Sequence, residues 1–306
     1  MRLTISIFLV LVAYHAQADE TAPTPTYSFS DIGYMETVGW HPERLPDARI
    51  VYGERNPLQF ADLRLPSTPP PPGGYPVIVF IHGGAWLAEW SKDHTEPFAE
   101  ALTAQGFATW DLEFRRIGNR GGGYPGTFED IADGTDYLRT VAESYPLNLD
   151  QVIASGHSSG GHLALWLGGR QQLPESSPLY RADPLPLAGI VSIAGVNDLE
   201  VSLELGNRTD VLTLVGAESL ESGAERFAET NPARLRPFGI PQTLMIGDRD
   251  SEWRLEMTRR DADHASESGD TTKHVIVPGA NHMDVIDPRT GFAAGVALEA
   301  REILQR

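Results

Sequence analysis

The sequence predicts an α/β architecture with a mostly parallel sheet, and three observations carry that expectation. Short apolar runs alternate along the chain with segments of helical spacing, the pattern of strands joined by helical crossovers. The run at residues 76–81 is continuously apolar, as expected of a strand covered on both faces, and residues 241–247 read as another buried strand. Finally, Val152-Ile153-Ala154-Ser155 leads through Gly156-His157-Ser158-Ser159-Gly160 into Leu163, Ala164, Leu165 and Leu167. That is a strand, a turn of G-x-S-x-G form and a helix in immediate succession.

Taken in order, residues 1–18 read as an export signal. Met1-Arg2 is a short basic start, residues 3–14 are largely apolar, and Ala16-Gln17-Ala18 offers a small-residue cleavage site before Asp19. The apolar run of about 12 residues is too short for a bilayer, which needs about 20, and nothing later approaches that length. The expectation is a periplasmic or secreted protein with no membrane partner. Residues 19–306 then form one domain, of which 19–30 is Thr/Pro/Ala-rich at its start and expected to be a disordered tether. Strands are expected at 49–52 and 59–65, the second with the alternation of a half-exposed antiparallel pair. A Pro/Gly loop at 67–74 separates them from the buried strand at 76–81.

A helix at 96–105, a strand at 107–114, a Gly-rich loop at 118–126 and an amphipathic helix at 127–144 come next. Thr127 and Asp130 have the spacing of a capping box at the start of that helix. After the G-x-S-x-G strand, a strand is expected at 187–194. Residues 197–239 show helical pattern without a clear strand and read as a cap-like insertion between the sixth and seventh strands. Strands at 241–247 and 273–277 and a closing helix at 291–305 complete the chain.

The chain of 306 residues carries 24 Lys and Arg against 42 Asp and Glu, a net charge of −18 at pH 7. That balance argues against nucleic acid as a partner, because phosphate recognition needs a basic surface. With no cysteine in the sequence, thiol nucleophiles and thiolate metal sites are excluded. Oligomeric state is not encoded in any feature of the sequence.

Four expected strand ends carry groups that complete one reaction, and open α/β sheets place their sites at such ends. Ser158 follows the first and Gly247-Asp248-Arg249-Asp250 the second. Pro278-Gly279-Ala280-Asn281-His282 follows the third. A serine hydroxyl needs an imidazole to take its proton, and the imidazole needs a carboxylate to fix its tautomer. Ser158 is therefore the expected nucleophile and His282 the base. Asp250 is the expected acid, with Asp248 as its closest rival and Glu252 behind. The fourth end is His82-Gly83-Gly84-Ala85-Trp86, where successive glycines leave backbone N–H groups open to a substrate oxyanion. The N–H of Ser159 would add a further donor. His82 is expected to orient this loop. Trp86 and Trp90 are candidates to line an acyl pocket.

With these residues in view, the chain resembles the HGGxW group of the α/β-hydrolase superfamily, which includes kynurenine formamidase-like enzymes and bacterial carboxylesterases. Gly160-Gly161-His162-Leu163-Ala164 and Glu113-Phe114-Arg115-Arg116-Ile117-Gly118 extend the resemblance, which runs from about Val77 to Asp287. It implies an α/β-hydrolase fold and oxyanion donors at Gly84, Ala85 and Ser159. It also implies a serine hydrolase acting on small-molecule carboxylic esters, with neither metal nor organic cofactor. Two alternatives are an arylformamidase acting on an N-formyl aromatic substrate and a non-catalytic binding protein on the same fold.

Overall fold

The computed structural model describes residues 25–29, 33, 37 and 39–306. Among these, eight strands form one sheet: β1 (Ala48–Val51), β2 (Phe60–Arg64), β3 (Tyr75–Ile81), β4 (Ala108–Leu112), β5 (Leu147–His157), β6 (Gly189–Ile193), β7 (Gln242–Gly247) and β8 (Thr272–Val277). Their spatial order is β1-β2-β4-β3-β5-β6-β7-β8. The β1–β2 and β2–β4 pairs are antiparallel, and every pair from β4 to β8 is parallel. The helices are α1 (Glu96–Ala104), α2 (Gly126–Asp136), α3 (Leu138–Val141), α4 (Ser159–Gly169), α5 (Leu199–Gly206), α6 (Asp210–Val215), α7 (Ala224–Thr230), α8 (Glu252–Glu267) and α9 (Phe292–Leu304).

Strand β3 shows why its sequence is continuously apolar. Val77, Val79 and Ile81 enter the core layer shared with α2, α3 and α4, while Ile78 and Phe80 enter the layer shared with α1 and α9. Successive side chains leave a strand on opposite faces, so helices on both sides demand apolar residues at every position. Burying each such side chain is worth about 1.5–3 kcal/mol of transfer free energy.

Several expectations change in detail. The alternation of β2 is present, yet its polar face is covered as well. Asp62 is fully buried and accepts from Arg49 Nε at 2.8 Å, and its second oxygen lies 2.6 Å from the buried Lys92 ammonium. The helix expected at 127–144 is two helices, α2 and α3, meeting at Tyr137. It also begins at Gly126, so Thr127 is not its cap. The Thr127 hydroxyl instead donates to Arg115 O at 2.7 Å and accepts from Gly123 N–H at 3.0 Å. Asp130 takes the Arg115 guanidinium at 2.7 and 2.8 Å, fastening α2 to the end of β4.

The segment 1–18 lies outside the described residues. Part of the stretch expected as a tether is placed against the domain. Tyr27 stacks on Phe29 at 5.9 Å and meets Phe292 of α9 at 5.9 Å, and Ser28 N–H donates to Thr290 O at 3.1 Å. Two aromatic rings give residues 25–29 enough apolar surface to dock. No helix among the described residues is long and apolar enough to cross a membrane.

Residues 197–239 carry α5, α6 and α7 and no strand. They are fastened to α4: His162 Nε2–H donates to Thr230 O at 2.9 Å and Trp166 Nε1–H to Glu229 O at 2.8 Å. The Tyr124 hydroxyl, in the loop before α2, adds a tie to a different part of the domain, donating to Glu229 Oε2 at 2.6 Å.

Candidate active site

The turn between β5 and α4 sets the position of Ser158. Its backbone sits at φ +53°, ψ −116°, a conformation that costs a non-glycine residue about 1–3 kcal/mol and persists only where its surroundings enforce it. The enforcement is visible. Ser158 N–H donates to Ile193 O at 2.9 Å, and Ser158 O accepts from Val196 N–H at 3.1 Å and His162 N–H at 3.2 Å. The flanking glycines are required by space. A Cβ on Gly156 would lie 2.3 Å from Gly160 O, and one on Gly160 would lie 2.0 Å from Ile81 O. Gly160→Ala should therefore destabilise the fold by about 3 kcal/mol or more, because backbone rather than a flexible side chain must move. A urea midpoint within error of wild type would contradict this close packing.

Three side chains from separate strand ends meet at this turn. The Ser158 hydroxyl donates to His282 Nε2 at 3.1 Å, and His282 Nδ1–H donates to Asp250 Oδ2 at 2.7 Å. The other oxygen of Asp250 accepts from Ser251 N–H at 2.6 Å and from Arg254 Nη1 at 3.4 Å. Burial would raise the Asp250 carboxyl, but the His282 ring, Arg254 and Ser251 N–H outweigh it and hold the group at about 2. Burial pushes His282 below its ordinary value of 6.5, and Arg254 and Arg208 act in the same direction against Asp250. Asp248 points elsewhere: its Oδ1 accepts from Gly279 N–H at 2.7 Å. Glu252 begins α8 and is exposed. Ser159 is the first residue of α4 and is buried, so its N–H is one of the four at a helix start with no partner in the helix ladder.

The glycine loop after β3 has consecutive left-handed residues, Gly84 at φ +110°, Ala85 at +55° and Trp86 at +57°. A Cβ on Gly84 would lie 2.3 Å from Trp90 Cβ. His82 is fully buried beneath the loop. Its Nδ1–H donates to Gly83 O at 2.7 Å, its Nε2 accepts from Arg116 Nη1 at 2.9 Å, and its ring stacks on Phe114 at 4.5 Å. Burial lowers its pKa, consistent with a neutral ring that orients the loop.

Trp86 does not line the cleft. Only 1% exposed, it turns inward and donates its indole N–H to His162 Nδ1 at 3.2 Å. A large apolar ring with a partner for its one polar group is well placed in a core. The neighbouring Trp90 faces the cleft instead. That cleft encloses about 480 Å³ above Ser158, and Ala85, Trp90, Arg208, Trp253, Arg254 and His282 line it.

Arg208, Trp253 and Arg254 have no motif to announce them, and sequence reasoning passes over them. It also passes over His157, although that residue lies inside the G-x-S-x-G turn. His157 is buried beside the site, donates Nε2–H to His282 O at 2.9 Å and packs its ring 4.7 Å from the His282 ring.

The BD-FAE family model matches residues 61–251. Among curated proteins, the esterase LipC of Mycobacterium tuberculosis is 26% identical over 260 residues, 80% of this chain and 62% of that protein. A probable isoprenylcysteine alpha-carbonyl methylesterase of Arabidopsis thaliana is 24% identical over 258 residues, 79% of this chain and 52% of that protein. The chain thus spans between half and two thirds of the length of these relatives. Among solved structures, esterase B of Lactobacillus rhamnosis superposes with a TM-score of 0.74 at 17% identity, covering 88% of this chain and 89% of that one. The matched region holds the glycine loop, the serine turn and Asp250, and the chain belongs to the BD-FAE family with an α/β-hydrolase fold.

Proposed function

We propose that the protein hydrolyses carboxylic esters of small molecules through an acyl-enzyme intermediate on Ser158. The observation that carries this reading is the unbroken hydrogen-bond chain from Ser158 Oγ through His282 to Asp250. The names of the two curated relatives, an esterase and a methylesterase, support ester chemistry. As Ser158 Oγ attacks the substrate carbonyl, His282 Nε2 takes its proton, and Asp250 stabilises the imidazolium that forms. The N–H groups of Gly84, Ala85 and Ser159 receive the oxyanion, and losing one such donor typically costs about 3–4 kcal/mol in the transition state. His282 then protonates the departing alcohol. In the second half, a water attacks the acyl-enzyme while His282 takes the water's proton. The N-terminal segment at residues 1–18 supports export, so we place this chemistry outside the cytoplasm.

The test is a rate comparison across pH. Only neutral His282 accepts the serine proton, and its pKa is displaced below 6.5. Asp250, held at about 2, stays ionised throughout. The kcat/KM for 4-nitrophenyl acetate should therefore rise with pH through an apparent pKa below 6.5 and then level off. N-formylkynurenine, assayed beside it, should be turned over more slowly. An acid limb centred above 7, or faster turnover of the formamide, would overturn the reading.

A further inference from the structure

We propose that the cleft above Ser158 selects esters bearing an anionic group, which Arg208 receives. The inference rests on the ester-hydrolase reading and names its substrate class. The surface of the cleft carries it. Two guanidinium groups and two indoles line it beside Ser158 and His282, and no Asp or Glu is among its lining residues. That is a local inversion in a chain with 42 acidic residues against 24 basic ones. The carboxylates that pair with the two arginines, Asp210 and Asp250, stand outside the lining, so the face turned to the substrate is one of guanidinium donors, the groups that bind an anion by charge-assisted hydrogen bonds.

The two arginines have different duties. Arg254 lies 3.4 Å from Asp250 Oδ1 and 4.3 Å over the Trp253 ring, so its charge is shared with the carboxylate behind His282. Arg208 comes from the insertion. Its fork binds Asp210 through Nε at 2.9 Å and through Nη2, which leaves the Nη1 hydrogens for a further acceptor. An arginine fixed along one edge by a carboxylate has lost little freedom still to lose when a second anion docks on the other.

This arm is built into the fold. α5 ends at Gly206 and is capped by Asn207 in the left-handed region, φ +49°, and Arg208 follows at once. The Trp253 ring lies flush against Gly206, where a Cβ would come within 2.7 Å of it. The Arg208 guanidinium sits 5.7 Å from the Trp253 ring and 5.9 Å from that of Trp86, a distance at which aromatic faces favour a cation. Burial, then Arg254 and Arg208, oppose protonation of His282, so the charge of Arg208 reaches the reacting groups.

Two matched substrate pairs test the proposal and locate the anion. On the acyl side, the half-ester 4-nitrophenyl hydrogen adipate is compared with 4-nitrophenyl hexanoate. On the alcohol side, 4-acetoxybenzoate is compared with 4-acetoxybenzamide. In one pair at least, wild type should favour the anion by about tenfold or more in kcat/KM, mostly through KM, and salt should erode the preference. The ratio within that pair should collapse toward one in Arg208→Gln and be partly restored in Arg208→Lys, which keeps the charge without the fork. Ratios near one in wild type for both pairs would overturn the proposal, as would a preference preserved in Arg208→Gln. The wild-type ratios and their salt dependence decide the matter even if the variant fails to fold. Hydrolysis of none of the four esters would instead overturn the hydrolase reading itself.

Discussion

Ser158→Ala should reduce kcat on 4-nitrophenyl acetate by about 10⁶-fold, and His282→Ala by a similar factor, with no further loss in the double variant. In the proposed mechanism the hydroxyl and the imidazole act as one unit. The Ser158 proton has its acceptor at His282 Nε2, 3.1 Å away, and neither group provides an alternative path for the other. Folding should survive the serine change. The Ser158 backbone, not its hydroxyl, holds the turn, through contacts to Ile193, Val196 and His162. Residual turnover above the buffer rate should persist in each variant, because in the proposed mechanism the glycine loop still offers its N–H donors to an oxyanion. Thermal melts alongside the kinetics separate a lost nucleophile from a lost fold.

The second large effect is expected at Asp250. Asp250→Asn should lower kcat by about 10⁴-fold with little change in KM, by favouring the imidazole tautomer that turns a proton toward Ser158. The carboxylate now fixes His282 Nδ1–H at 2.7 Å, and an amide at the same place offers an N–H as readily as an oxygen. Asp248→Asn is the control. Its amide oxygen still accepts from Gly279 N–H, which Asp248 Oδ1 now meets at 2.7 Å, so kcat should change little. Equal losses at both positions would assign the orienting role to neither carboxylate.

The residues that were legible in the sequence are those where local backbone geometry dictates the residue type. Gly156 and Gly160 leave no room for a Cβ, and the turn between them reads directly from five letters. The continuous apolar strands announce a covered sheet for the same local reason. Where side chains meet across long separations, the sequence carries no such mark. Trp86 and Trp90 are equally aromatic, and only the left-handed residues at Ala85 and Trp86 decide which ring enters the core. Arg208 reaches the cleft because α5 packs on Trp253 through Gly206, a contact between distant segments. His157 occupies a variable position of the turn motif, and its bond to His282 O depends on the loop after β8. Asp250 and Asp248 are both acids past one strand; reach to His282 distinguishes them, and reach is a property of the folded loop. The polar face of β2 likewise gives no sign that Lys92 will cover Asp62.

The central claim, a covalent reaction at Ser158, is tested most directly by mass spectrometry of the folded protein after exposure to a fluorophosphonate probe. A single phosphonyl adduct on the peptide containing Ser158, absent from Ser158→Ala and slowed in His282→Ala, is the expected result. A folded protein that stays unlabelled, or carries its adduct on another residue, would contradict the account.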